Sequence, residues 1–231
     1  MDKSATRVES LPTNIATARF CASCGEPYPR LAVQSSWCFV RHGETDWNQE
    51  GRINGGRSDT CLNQNGKEQA RLSAQLLQAE PVDLIISSDM TRAKQTAEII
   101  AEATHAPILL DSSLKEMDHG AMEGLLYADV NERYGGFLEF PYKELGGESF
   151  AEVEARAMGA LCNYKKRYLG KNLVIVTHGV VLSVLLKNIK KISLAAAAEI
   201  RIGNAEIIRF YLGEPCTKCA GDLYENRAKK H

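Results

Sequence analysis

No segment of this chain is apolar for long enough to cross a bilayer. The longest candidate, LVIVTHGVVLSVLL (Leu173 to Leu186), falls short of the ~20 residues a spanning helix needs and carries His178 in its middle. The opening MDKSATRVESLPTNIATARF has no uninterrupted apolar core and does not read as a secretory leader. An excess of one charge is missing too. With 28 Lys and Arg against 29 Asp and Glu the formal charge is -1, which leaves no sequence-wide basic field for nucleic acid, and the closing NRAKKH is short enough to be a solvated tail. Tandem repeats and low-complexity tracts are likewise absent. We therefore expect a soluble, cytoplasmic protein that takes a small phosphorylated molecule rather than nucleic acid or membrane as its partner. A homodimer remains open.

With 44% hydrophobic residues in 231, the chain can bury one sizeable core. Composition shifts set off residues 1–36 as an N-terminal extension and 214–231 as a C-terminal tail around a domain over 37–213. Within it, short β-branched runs alternate with helical patterns, which predicts an α/β three-layer sandwich with a mostly parallel sheet. Strands are expected at Trp37 to Val40, Val82 to Ser87, Pro107 to Leu110, Asn172 to Thr177 and Ala205 to Tyr211. Helices are expected over Gln64 to Gln78, after an N-cap at Asp89, over Ser149 to Tyr168, and from Val180 to Lys187. The Gly- and Tyr-rich stretch from Gly120 to Gly147 reads as a long crossover or lid with a short helix.

Ligands of an open α/β sheet sit beyond the carboxyl ends of its strands. Arg41 and His42 end the first strand, Arg92 lies in the first turn after the second, Glu116 follows the third and His178 ends the fourth. Taken singly, each could be an ordinary polar or surface residue. Together they describe a phosphate site, because guanidinium forks match phosphate oxygens and helix N-termini after Asp89 and Gly179 add positive charge. A neutral imidazole held against phosphorus is a nucleophile. Gly43 would keep a side chain away from the phosphate, and Glu116 is the one acid among these features able to protonate a leaving alcohol.

The residues resemble the histidine phosphatase superfamily, in its phosphoglycerate mutase-like branch. The likeness runs through RHGETDWN (Arg41 to Asn48), GRINGGRSDTCLNQNGKEQA (Gly51 to Ala70), SSDMTRAKQTA (Ser87 to Ala97), LKEMDHGAMEG (Leu114 to Gly124), GGESFAEVEAR (Gly146 to Arg156) and VTHGVV (Val176 to Val181). The resemblance implies that His42 becomes the phosphohistidine, that Arg41, Arg92 and His178 bind the phosphoryl group, and that Glu116 is the general acid and base. It also implies that Arg52 and Asn48 line the substrate pocket. GRINGGRSD carries an extra residue against the family pattern, which leaves Arg57 as a rival to Arg52. MEG at Met122 to Gly124 replaces the more usual WEG, so a pocket-wall aromatic is missing. The long Trp-, Arg- and Pro-rich insertion typical of the mutases is not recognisable, which favours a phosphoric monoester hydrolase over a phosphomutase.

Seven cysteines are present. Cys21 and Cys24 form one C-x-x-C pair and Cys216 and Cys219 another, one on each side of the domain. Two such pairs suit a structural Zn site that staples the termini; reduced or redox-active pairs are the alternatives. The zinc would not be catalytic, because arginine supplies charge neutralisation in the pocket. Cys38, Cys61 and Cys162 are expected to be packing residues. A third reading makes the chain a zinc-clasped phosphate-binding interaction module, against which stands the intact set Arg41, His42, Arg92, Glu116 and His178.

Overall fold

A computed structural model describes residues 33–213. Its centre is a five-stranded sheet in the order β3-β2-β4-β1-β5, built from β1 (Val33–Arg41), β2 (Leu84–Ser87), β3 (Ile108–Leu110), β4 (Leu173–Thr177) and β5 (Ile207–Gly213). β1 to β4 run parallel and β5 is antiparallel to β1. Side chains alternate between the faces of each strand, and the two cores divide accordingly. Trp37, Phe39, Ile86, Leu173 and Ile175 pack on one face with helices α5 (Phe150–Arg167) and α6 (Gly179–Lys190). Cys38, Val40, Ile85, Val174 and Val176 pack on the other with α2 (Gln64–Leu77) and α3 (Thr91–Thr104). Both faces being covered, β4 is buried along its whole length, as a central parallel strand must be. The architecture is the expected α/β sandwich.

Smaller helices complete it: α1 (Asp46–Gln49), α4 (Tyr127–Tyr134) and α7 (Leu194–Glu199). α4 lies in the expected lid region, followed by a cluster in which Phe137, Phe140, Tyr142 and Phe150 meet edge-on or tilted. Along α5, Val153, Ala157, Leu161 and Tyr164 recur every three or four residues and form a buried core stripe. Among the described residues, no helix is long and apolar enough to cross a membrane.

Four expectations need correction. The fifth strand starts at Ile207 rather than Ala205, because Ala205 has φ +55° and a left-handed residue cannot continue a strand. α3 is preceded by Met90, not capped by Asp89; Asp59 from a distant loop instead accepts from the Thr91 backbone N–H and hydroxyl, both at 2.7 Å, while Asp89 pairs with Lys115. That carboxylate answers the positive end of α3 and leaves α6 as the helix start facing the site. Cys61 and Cys162 are exposed, so of the three cysteines among the described residues Cys38 alone packs in the interior. The α2 surface that carries Gly66, not a phosphate pocket, makes Gly43 necessary: a Cβ on Gly43 would collide with the Gly66 carbonyl, and one on Gly66 with the Glu44 carbonyl.

Candidate active site

Strand register gathers the site. Arg41 stands opposite Thr177, and Val176 opposite Ser87, so the residues that follow, His42, His178 and Ser88, emerge side by side at one edge. His42 is held at both main-chain atoms: its N–H donates to the Thr177 carbonyl at 2.9 Å, and its carbonyl accepts from the Asn204 amide at 3.0 Å. Its Nδ1 lies 2.7 Å from the Gly43 carbonyl. A carbonyl can only accept, so Nδ1 carries the proton and Nε2 keeps its lone pair.

Burial holds His42 well below the usual imidazole pKa, and the cations of Arg92 and Arg41 push it further down. His178 is depressed in the same way, by burial first and then by Arg92. Its Nε2 is 2.8 Å from Ser88 Oγ. Both imidazoles are therefore neutral at neutral pH. Arg92 is wholly buried, yet its donors reach only main-chain carbonyls, Ser58 at 2.8 Å and Gly55 at 3.1 Å. Burial brings its pKa down to about 10, which still leaves it charged. Arg41 donates to the Ile202 carbonyl at 2.8 Å. Arg41 Nε, Arg92 Nε and His178 Nδ1 are buried with no hydrogen-bond partner among the described residues. Desolvated cations with unfilled donors are costly, and an anion is the ligand that removes the cost.

Glu116 is buried as well, with its carboxylate close enough to Arg41 to act on its charge. Its Oε1 accepts from the Met117 N–H at 2.9 Å and its Oε2 from the Val180 N–H, in the first turn of α6, at 3.2 Å. The loop that carries it is clamped from α5. Arg156 donates to the carbonyls of Ser113, Lys115 and Glu116, and grips the Glu148 carboxylate through Nε at 2.9 Å and Nη2 at 2.8 Å.

A cavity of about 380 Å³ opens here, with Arg41, His42, Asn48, Arg52 and Glu116 among its walls. Arg92 and His178 are fully buried and are not among its walls; His178 stands beside His42, with ring centroids 5.1 Å apart. Arg52 reaches the cavity but is engaged with Glu50 at 2.5 Å and the Gly124 carbonyl at 2.8 Å. Arg57, its rival, turns instead to Asp118 and the Gly146 carbonyl and is not among the cavity walls. Asn48 closes a capping box on Thr45 at the start of α1.

Several site residues escaped the sequence reading. Ser183, Asn204 and Arg201 carry no motif that marks them out, whereas Ser88 and His119 stand inside the quoted SSDMTRAKQTA and LKEMDHGAMEG blocks among neighbours that drew the attention. Arg156 stands inside the quoted GGESFAEVEAR block, and its spacing from Glu148 on the polar side of a core stripe was the available signal. Cys21, Cys24, Cys216 and Cys219 lie outside the described residues. Among the described residues, no group of three or more His, Cys, Asp or Glu side chains is placed to hold a metal ion.

Comparison with known proteins agrees with this geometry. The model of the "Histidine phosphatase superfamily (branch 1)" matches residues 37–220. The chain is 38% identical over 152 residues to "Uncharacterized phosphatase PhoE" of Bacillus subtilis, covering 66% of this chain and 76% of the relative. It is 36% identical over 177 residues to "Probable phosphoglycerate mutase GpmB" of Salmonella paratyphi A, covering 74% and 82%. The solved structure of Bacillus stearothermophilus YhfR superposes with a TM-score of 0.71 at 28% identity, over 78% of this chain and 93% of that one.

Proposed function

The chain belongs to the histidine phosphatase superfamily, and from that premise we propose that it hydrolyses a small phosphorylated metabolite through a phosphohistidine on His42. One observation carries the reading: three buried nitrogens with no hydrogen-bond partner among the described residues, Arg41 Nε, Arg92 Nε and His178 Nδ1, belong to the side chains whose charge or ring neighbours an imidazole kept neutral. The cage is electron-poor and the nucleophile is not.

In the first step the Nε2 lone pair of His42 attacks phosphorus, the phosphorus–oxygen ester bond breaks, and Glu116 gives its proton to the departing alkoxide. In the second, Glu116 takes a proton from water as the oxygen attacks phosphorus; the phosphorus–nitrogen bond breaks, its electron pair returns to Nε2, and inorganic phosphate leaves. Arg41, Arg92 and His178 hold the phosphoryl oxygens throughout, and Asn48 and Arg52 meet the alcohol part. The Gly43 carbonyl fixes the productive tautomer.

A second reading, phosphoryl transfer between two hydroxyls, is favoured by the name of the Salmonella relative. Hydrolysis is supported better, because among the described residues the stretch from Gly120 to Gly147 carries only one short α-helix, α4, and no long insertion over the pocket to exclude water. The test is a single-turnover assay with a radiolabelled phosphomonoester. The wild type should form an alkali-stable, acid-labile phosphoprotein and release free phosphate, and His42→Ala should do neither. Labelling or turnover retained in His42→Ala sinks the mechanism; label moving to a second hydroxyl without free phosphate selects the mutase.

We also infer a structural zinc ion held by Cys21, Cys24, Cys216 and Cys219. The antiparallel pairing of β1 with β5 supports it, since Val33 stands opposite Gly213 and the segments bearing the two pairs depart from adjacent positions.

A further inference from the structure

The cavity at His42 has a neighbour. A second cavity, of about 1070 Å³, lies between the turn after α4 and helix α7, and Tyr127, Phe137, Ala198 and Arg201 line both. The inner space sits near the low end of the range of roughly 300–1000 Å³ common for small-molecule sites, whereas the outer one alone fills that range. A phosphorylated three-carbon compound needs only the first.

Arg201, just beyond α7, stands on the shared wall. Its side chain is exposed and makes no hydrogen bond or ion pair with any described residue. Arg52, the other arginine of the rim, is already held by Glu50 and the Gly124 carbonyl. The uncommitted cation at the passage is therefore Arg201. Farther out the sign reverses, because Glu139 and Glu199 line the outer cavity. An anion is welcome at the neck and unwelcome past it.

We propose that the substrate is a phosphomonoester with an extended alcohol part that bears a second anionic group, and that Arg201 selects it by pairing with that anion. The inference rests on the phosphatase reading and names the substrate class of the same site. Arg201 determines specificity and takes no part in bond breaking.

The test compares two open-chain probes of equal length, gluconate 6-phosphate and sorbitol 6-phosphate, which differ by a carboxylate in place of a hydroxymethyl group. The wild type should favour the gluconate ester in kcat/KM by about threefold, within the range for an ion pair at an exposed site. Arg201→Gln should bring the ratio near one and Arg201→Glu below it. Each ratio is read within one protein sample, so a partly unfolded variant does not distort it. A second variant, Ala198→Trp, narrows the passage and should lower kcat/KM for gluconate 6-phosphate relative to the short phosphoglycolate. A wild-type ratio of one, or an unchanged ratio in Arg201→Gln, overturns the proposal while phosphate release from p-nitrophenyl phosphate keeps the phosphatase reading intact. Failure to release phosphate from any of these esters overturns both.

Discussion

His42 and His178 hold their imidazoles with centroids 5.1 Å apart and planes tilted by 56°, and neither ring hydrogen-bonds to a carboxylate. A main-chain carbonyl serves one and a serine hydroxyl the other. A carboxylate partner would raise the imidazole pKa and favour the cation. Here burial and two guanidinium groups act without that opposition, so the pair stays neutral and one nitrogen keeps its lone pair for phosphorus.

Stability should fall in acid because of this pair. The folded pKa values of both histidines lie below the unfolded value of about 6.5, so below that pH the unfolded chain binds more protons. Their contribution is fully present above about 6.5 and is lost as pH falls toward the depressed folded values, by up to about 1.4 kcal/mol per pH unit for each group. Urea unfolding midpoints measured on both sides of that value should show the decline, and His178→Asn should flatten it. A midpoint that rises with acidification contradicts the assignment.

Ser88→Ala should cost about 1–3 kcal/mol, because it strands a buried imidazole nitrogen and removes the acceptor of the Met90 N–H. Turnover should drop more than KM rises, since His178 would be free to rotate beneath the phosphoryl group. Denaturant titration and steady-state kinetics on one preparation check both parts.

Arg156→Gln should loosen the Glu116 loop. The lost contacts are three carbonyls and a two-point pair with Glu148, partly screened, so roughly 2 kcal/mol of stability is at stake. Because Arg156 positions the acid rather than touching substrate, esters with poor leaving groups should slow more than p-nitrophenyl phosphate, whose leaving group needs little protonation. Equal slowing of both would make Arg156 merely structural.

Zinc should co-purify with the full chain at about one ion per molecule, the stoichiometry of a four-cysteine site. Elemental analysis of a Cys21→Ser, Cys24→Ser variant should find it gone, and chelation should lower thermal stability while phosphate release continues. Full zinc content in that variant excludes the clasp.

Much of the site was legible in one dimension. Arg41 and His42 close an apolar run, and Arg92, Glu116 and His178 each follow a strand, so a rule about sheet edges grouped them before any coordinates. Ser88, Arg156 and Arg201 were not separable from ordinary polar residues, because their significance is a distance to another element. Asp59 shows the same limit: it serves the start of α3 from a loop distant in sequence, while nearby Asp89 had the better local pattern and pairs elsewhere.

The sequence by itself determined the short apolar runs of β1, β2 and β4, whose residues face the two sides of the sheet in turn, the amphipathic stripe of α5 and the five polar residues at the strand ends. Each follows from local stereochemistry, the two-residue period of a strand or the 3.6-residue period of a helix. Tertiary structure decided the rest. Strand order set His42 beside His178, burial fixed their protonation, Gly66 dictated Gly43, and the placement of α7 left Arg201 without a partner among the described residues, where two cavities share a wall. These depend on how separately folded elements approach one another, and no local period in the chain encodes that approach.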